Sequence, residues 1–231
     1  MGKETELKYF NFLKGKNIVI VGPAGYLENE EKGKEIDSFD IVIRLNQAIP
    51  INNSKSRGTK TNVLYHTLFS KPLIYKDQKY IKNKDLINGN DVSIWKNQGV
   101  KWVVTYEHGL WRKRIRLVKK YLDKMFWITI PSSFCSIIRN DMGTIPNTGV
   151  YAILHVLCAE IKSLYVLGFD FHATGAYYCN DIGTFSSMME MSEQWHDTKM
   201  QIDFLYDLWK NENRLSVDYV LEKILLEGGR K

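Results

Sequence analysis

The chain has 231 residues, 44% of them hydrophobic and 25% charged, which suits one α/β domain with a sizeable core and excludes a disordered or fibrous chain. Its formal net charge is +6, from 32 Lys and Arg against 26 Asp and Glu. No run of about 18 apolar residues is present, and the charged opening Met1 to Glu6 lacks a signal-peptide core, so neither a membrane span nor a leader is expected.

In chain order, the β-branched run at 17–22 ends in Gly22 and reads as a buried strand feeding a turn. Further strands are predicted at 40–44, 62–66, 101–105, 126–130 and 163–168. Helices are predicted at about 27–36, 111–124 and 148–160, the last from Val150, Leu154, Leu157 and Ile161 at helical spacing. From residue 186 the pattern is helical to the end, and two polar stretches, 50–60 and 70–98, read as loops. Continuous apolar strands alternating with helices imply a mostly parallel sheet covered on both faces, a Rossmann-like three-layer sandwich in one domain over 1–231. Ligands of such sheets bind beyond the carboxyl ends of the strands.

Three clusters fall at such ends. Gly22 and Gly25 lie in a strand-to-helix turn, either a plain tight turn or a place where backbone amides meet an anion. Arg44 and Asn46 close the second strand; Asn46 suits a ribose or base edge, and Arg44 could equally pair with a carboxylate. Asn147, Thr148 and Gly149 open a helix, as an ordinary N-cap or as a phosphate cradle. The basic run around Arg112, Lys113 and Arg114 is a solvated helix face or a contact for an anionic membrane surface. No nucleic-acid-binding pattern accompanies it, so no nucleic-acid partner is expected. Cys135, Cys158 and Cys179 lack metal-ligand spacing and read as free thiols of a cytoplasmic protein.

The order of these clusters carries a resemblance. Residues 18–66 resemble the large sialyl motif of sialyltransferases, glycosyltransferase family 29, through the turn at 21–27, Gly33 to Ser38, Phe39 to Asn46 and Gly58 to Thr61. Residues 146–169 resemble the small motif, Tyr177 and Tyr178 the third, and His196 the last. The resemblance implies a modified GT-A-type fold and an inverting transfer of an acidic sugar from a CMP-sugar to a glycan acceptor, without metal or other cofactor. It implies a short bacterial or viral form with no membrane anchor. By position, Gly22, Gly25 and Asn46 would line the nucleotide site, Asn147, Thr148 and Gly149 would hold phosphate or ribose, and Gly168 and Phe169 would border the cytidine. Tyr177 and Tyr178 would flank the phosphate, and His196 would be the general base.

Four positions depart from the family's pattern. Pro23 stands where Asn is common, and Ile18 removes one half of a disulfide whose other half would be Cys158. Ala176 replaces a His for which His172 is the nearest substitute, and Gln201 replaces a Glu. These departures leave room for a CMP-Kdo or other CMP-nonulosonate donor, or for an inactive nucleotide-binding module. An NAD oxidoreductase is disfavoured, because Arg44 and Asn46 stand where its ribose-binding acid would be. Of the remaining histidines, His155 reads as core, His66 as core or site, and His108 as an exposed loop residue.

Overall fold

The computed structural model describes residues 3–68, 74–76, 79–81, 89–106, 122, 125–175 and 196–229. Seven strands form one sheet: β1 (Asn17–Val21), β2 (Ile41–Leu45), β3 (Val63–Tyr65), β6 (Trp102–Tyr106), β7 (Phe126–Ile130), β8 (Ser163–Leu167) and β9 (Leu215–Val217). The remaining two, β4 (Ile74–Lys76) and β5 (Lys79–Ile81), pair with each other as an antiparallel hairpin. The large sheet runs β7-β6-β3-β2-β1-β8-β9, and each of its pairings is parallel.

The strands are short and apolar because both faces are covered. On one face Ile18, Ile20, Ile43, Val63, Val104, Ile128 and Val166 join a single cluster with helical residues such as Tyr9, Leu13, Val150, Ile153, Leu205 and Leu225. These come from α1 (Lys3–Leu13), α6 (Thr148–Leu157), α7 (Thr198–Asn211) and α8 (Tyr219–Gly228). On the other face Val19, Val21, Val42 and Leu167 pack on Leu27 and Ile36, from a 3₁₀ turn (Gly25–Asn29) and α2 (Gly33–Ser38). Leu64 and Val103 meet Val92 and Trp95 of α4 (Gly89–Asn97) there. Alternate strand residues thus feed opposite layers, the period-2 geometry of a strand buried on both sides.

Several expectations need correction. The helix expected at 27–36 is divided into the 3₁₀ turn and α2, and the first polar loop contains the single turn α3 (Ser54–Arg57). The second contains the hairpin and α4. The C-terminal stretch is interrupted by β9, an edge strand of three residues beside β8. An additional helix, α5 (Ser132–Met142), follows β7 and ends at Gly143 in the left-handed conformation, φ 74°. The helix expected at 111–124 and the basic run within it lie outside the described residues, Leu122 excepted. Among the described residues no helix is long and apolar enough to cross a membrane. Ile18 is core, and Cys158 is an exposed free thiol whose Sγ donates to the Leu154 carbonyl.

The sheet order reverses beside β1. From β1 the chain builds outward through β2, β3, β6 and β7, then returns to the other flank with β8 and β9. Crevices for ligands open at such a switch point, at the carboxyl ends of the central strands.

Candidate active site

At the switch point the turns after β1 and β8 touch backbone to backbone. The Gly22 N–H donates to Leu167 O at 2.8 Å, and the Ala24 N–H to Gly168 O at 3.0 Å. A Cβ on Gly22 would stand 2.2 Å from the Gly168 carbonyl oxygen, and one on Gly25 would stand 2.1 Å from that of Thr174. Gly168 itself has φ 76°. These glycines are required by close approach and a left-handed turn, whatever ligand the crevice takes.

Arg57, 1% exposed, holds the first turn from beneath. Its Nε donates to Glu28 Oε1 at 2.6 Å, its Nη1 to Gly22 O at 3.3 Å and its Nη2 to Ala24 O at 2.8 Å. Arg44 points into the loop below rather than toward a ligand. Its Nη2 donates to Arg57 O at 2.6 Å and its Nε to Thr61 Oγ1 at 3.0 Å. Asp37 closes the same loop, accepting from the N–H groups of Thr59 and Lys60. Burial alone would raise its carboxyl, but those donors outweigh burial and hold it below 3.8. Much of the stretch resembling the large motif is therefore a scaffold that fixes the two turns.

Asn46 lies at the end of β2 with φ 48°. Its Oδ1 accepts from Thr67 N–H at 3.1 Å, and its Nδ2 donates to Thr148 Oγ1 at 3.3 Å. Thr148 Oγ1 also bonds Tyr106 Oη at 2.9 Å, so β2, β6 and the start of α6 meet at one hydroxyl. Asn147 caps α6, its Oδ1 accepting from Val150 N–H at 2.9 Å. Helix geometry leaves the N–H groups of Thr148 and Gly149 without intrahelical partners, at the positive end of the dipole. Phe169 packs directly on Gly149, where a Cβ would lie 2.2 Å from Cε1 of the ring. The ring is 7% exposed and belongs to the core as well as to the site wall.

His196 reaches the same place from the turn before α7. Its Nδ1 lies 2.6 Å from Ile145 O. A carbonyl can only accept, so Nδ1 carries the proton and Nε2 keeps its lone pair. Burial pushes the imidazole below 6.5, opposed by the bond to Ile145. The neighbouring Asp197 N–H donates to Thr144 Oγ1 at 3.0 Å. Gln201, one turn further along α7 and 1% exposed, accepts the Asn147 N–H at 2.9 Å. The 144–147 turn is thus clamped to the His196 turn at three points.

His172 follows Phe169 in the turn after β8. Burial lowers its pKa, Asp170 opposes this, and a charge on His196 would lower it further. Phe171 and His172 both have positive φ, 52° and 69°. Asp170, 4% exposed, imposes this turn by accepting the N–H groups of His172 and Thr174 at 2.9 and 2.8 Å. The structure therefore brings together Asn46, Asn147, Thr148, Gly149, His172 and His196. Gly22, Gly25, Gly168 and Phe169 shape the wall, while Tyr177 and Tyr178 lie outside the described residues. His66 and His155 are not site residues. His66 Nδ1 accepts the Leu68 N–H at 2.7 Å, and His155 Nδ1 bonds Tyr65 Oη at 2.9 Å within the core. Sequence reasoning missed Arg57, Tyr106 and the clamping role of Gln201; only Tyr106, a hydroxyl at the end of an apolar strand, carried a signal.

Fold and site together define an α/β protein with a polar cluster on the carboxyl edge of a parallel sheet, including two histidines whose pKa burial lowers. The family described as glycosyltransferase family 29 (sialyltransferase) matches residues 10–213, and the chain belongs to that family. It is 25% identical to the type 2 lactosamine alpha-2,3-sialyltransferase of Mus musculus, over 88% of this chain and 65% of that protein. It is 24% identical to the CMP-N-acetylneuraminate-beta-1,4-galactoside alpha-2,3-sialyltransferase of Rattus norvegicus, over 84% of this chain and 55% of that protein. The chain thus spans 65% and 55% of the length of these two relatives. A crystal structure of a mammalian sialyltransferase superposes with a TM-score of 0.53 at 13% identity, covering 98% of this chain and 79% of that one.

Proposed function

We propose that the chain is a CMP-sugar-dependent glycosyltransferase that moves sialic acid or a related acidic sugar onto a glycan hydroxyl, by inversion and without a metal. The observation that carries this reading is the joining of His196 to the start of α6 through Ile145, Asn147 and Gln201. That arrangement sets a base and an anion cradle side by side. In this reading the domain is Rossmann-like, a modified GT-A-type fold, and the cytidine lies along the β1–β8 crevice.

The chemistry divides between the two groups. The acceptor oxygen attacks the anomeric carbon, the bond from that carbon to the phosphate oxygen breaks, and CMP leaves with the electron pair. His196 Nε2 takes the acceptor proton, a role its tautomer and lowered pKa favour at neutral pH. Negative charge gathers on the departing phosphate, where the N–H groups of Thr148 and Gly149 and the helix dipole act. His172, in the turn that Asp170 sets after β8, is assigned as a further donor toward that phosphate. The two relatives described above are named as lactosamine and galactoside alpha-2,3-sialyltransferases, so a terminal galactoside is the acceptor to try first.

The test is CMP release from CMP-Neu5Ac and from CMP-Kdo with a galactoside acceptor, in EDTA, for wild type and His196→Ala. Release that persists in EDTA and falls by about 10²–10⁴-fold in the variant supports the reading. Activity lost in EDTA and restored by a divalent cation removes the metal-free part. Cytidine-nucleotide binding with no turnover on any donor points instead to an inactive binding module. If His196 Nε2 is the base, the acid limb of the rate profile lies below pH 6.5. A limb above 6.5 would assign the proton transfer to another group.

A further inference from the structure

The edge of the sheet opposite the candidate site carries an apolar groove of about 700 Å³ that the proposed reaction does not use. Phe12, Trp102, Met125 and Phe126 line it, together with Lys96 and Lys101. Trp102 and Phe126 open β6 and β7, so the groove lies at the amino ends of the strands. A five-residue strand puts roughly 17 Å between this edge and the site edge.

The composition of the groove is unusual for a free surface. Phe126, 65% exposed, stacks on Trp102 with ring centroids 5.1 Å apart, and Phe12 meets Trp102 at 6.4 Å. Lys101 Nζ stands 5.8 Å from the centre of the Phe12 ring. Neither Lys96 nor Lys101 forms an ion pair among the described residues. The same edge continues through Lys14, Lys16 and Lys162, all exposed, of which Lys14 is ion-paired with Glu160 at 2.6 Å. One exposed aromatic, Phe126, beside the two unpaired ammonium groups of Lys96 and Lys101 is the mixture that settles at a lipid–water boundary, the ring at headgroup depth and the ammonium groups on lipid phosphate.

We propose that this amino-end edge docks on an anionic membrane surface, with Phe126 entering the headgroup layer and Lys96 and Lys101 meeting lipid anions. The inference does not depend on the transfer reaction. A second copy of the chain fits the edge poorly, since a two-fold contact would set the same lysines against one another. Docked this way, the site edge faces water roughly 17 Å from the lipid, within reach of glycans that project from the surface or move freely.

The full chain is sedimented with phosphatidylcholine vesicles and with vesicles containing about one-third phosphatidylserine. Binding to the mixed vesicles alone, relieved by added salt, is the expected result. Losing one lysine charge near the surface costs about fivefold, so Lys96→Gln/Lys101→Gln weakens binding about 25-fold while unfolding at the same urea midpoint as wild type. Phe126→Ser weakens it too, with less dependence on salt. No binding to the mixed vesicles, equal binding to both kinds, or wild-type binding by a folded double variant would each overturn the proposal. A polyanionic protein that binds these lysines while mixed vesicles do not would overturn it as well, in favour of an acidic partner.

Discussion

Arg57 is a full charge in a place water does not reach, so its three groups of partners must do what solvent would. Removing the side chain takes the guanidinium from the carbonyls of Gly22 and Ala24 and leaves Glu28, part exposed, with only Asn53 as donor. Arg57→Ala should therefore cost about 3–5 kcal/mol, read as a lower urea midpoint. Arg57→Lys keeps the charge and loses the planar fork, so it should recover only part of that loss. A lysine variant as stable as wild type would show that charge alone holds the turn. Residues of this kind were the least legible in the sequence. Asn46, Asn147 and Thr148 could be read because they sit where strands end or helices begin, places where polar side chains have few other uses, whereas His196 was legible only through the family resemblance. Arg57 sits in a polar stretch that reads as loop, and nothing in its neighbours marks it as buried. Gln201 was read as a departure from a family pattern. Its amide oxygen nevertheless accepts the Asn147 N–H, as a carboxylate oxygen at that position could.

At the scale of elements, the start of α6 depends on a contact between a glycine and a ring. A methyl on Gly149 would meet Phe169 at 2.2 Å, too close for the ring to stay. Gly149→Ala should destabilise the fold by about 1–3 kcal/mol and weaken cytidine-nucleotide binding, since the ring's displacement moves both walls of the crevice. Shrinking the ring should compensate. In Gly149→Ala/Phe169→Leu the cost should be less than the sum of the single changes, and a strictly additive pair would deny the contact its role. The sequence marked this glycine by its place in a motif, while the reason for it lies in a residue twenty positions on. Elements were legible in proportion to their apolar length. The six strands expected are present because each carries at least three consecutive apolar residues, the most a short buried strand needs to declare itself. β9 escaped because three residues after a long amphipathic helix carry too little periodicity to read as a strand. The α2 region escaped as a division, since a 3₁₀ turn and a short helix share the apolar spacing of one longer helix.

For the whole molecule, the buried histidines set how stability responds to acid. His66 is enclosed, and burial pushes it to about 3 against an ordinary 6.5. The unfolded chain therefore binds a proton at His66 near pH 6.5, while the folded chain refuses one until about pH 3. Between those values the unfolded state holds more protons, so stability rises with pH and is lost as pH falls below 6.5, by about 1.4 kcal/mol per unit for such a group. His155, His172 and His196 are shifted in the same direction by the same cause, burial, and add to the slope. Asp37, Glu6 and Glu28 are held below their ordinary values, so the stability they contribute is kept above those values and lost only at lower pH. Acid unfolding should then begin with the histidines, before the carboxylates take protons. Urea midpoints measured at pH 7.5, 6 and 5 should fall steadily, and His66→Gln should make the fall shallower by one proton's worth of slope. Midpoints that stay level down to pH 5 would mean that these imidazoles accept protons without unfolding, and that the core around Trp95 and the site turn are open to water.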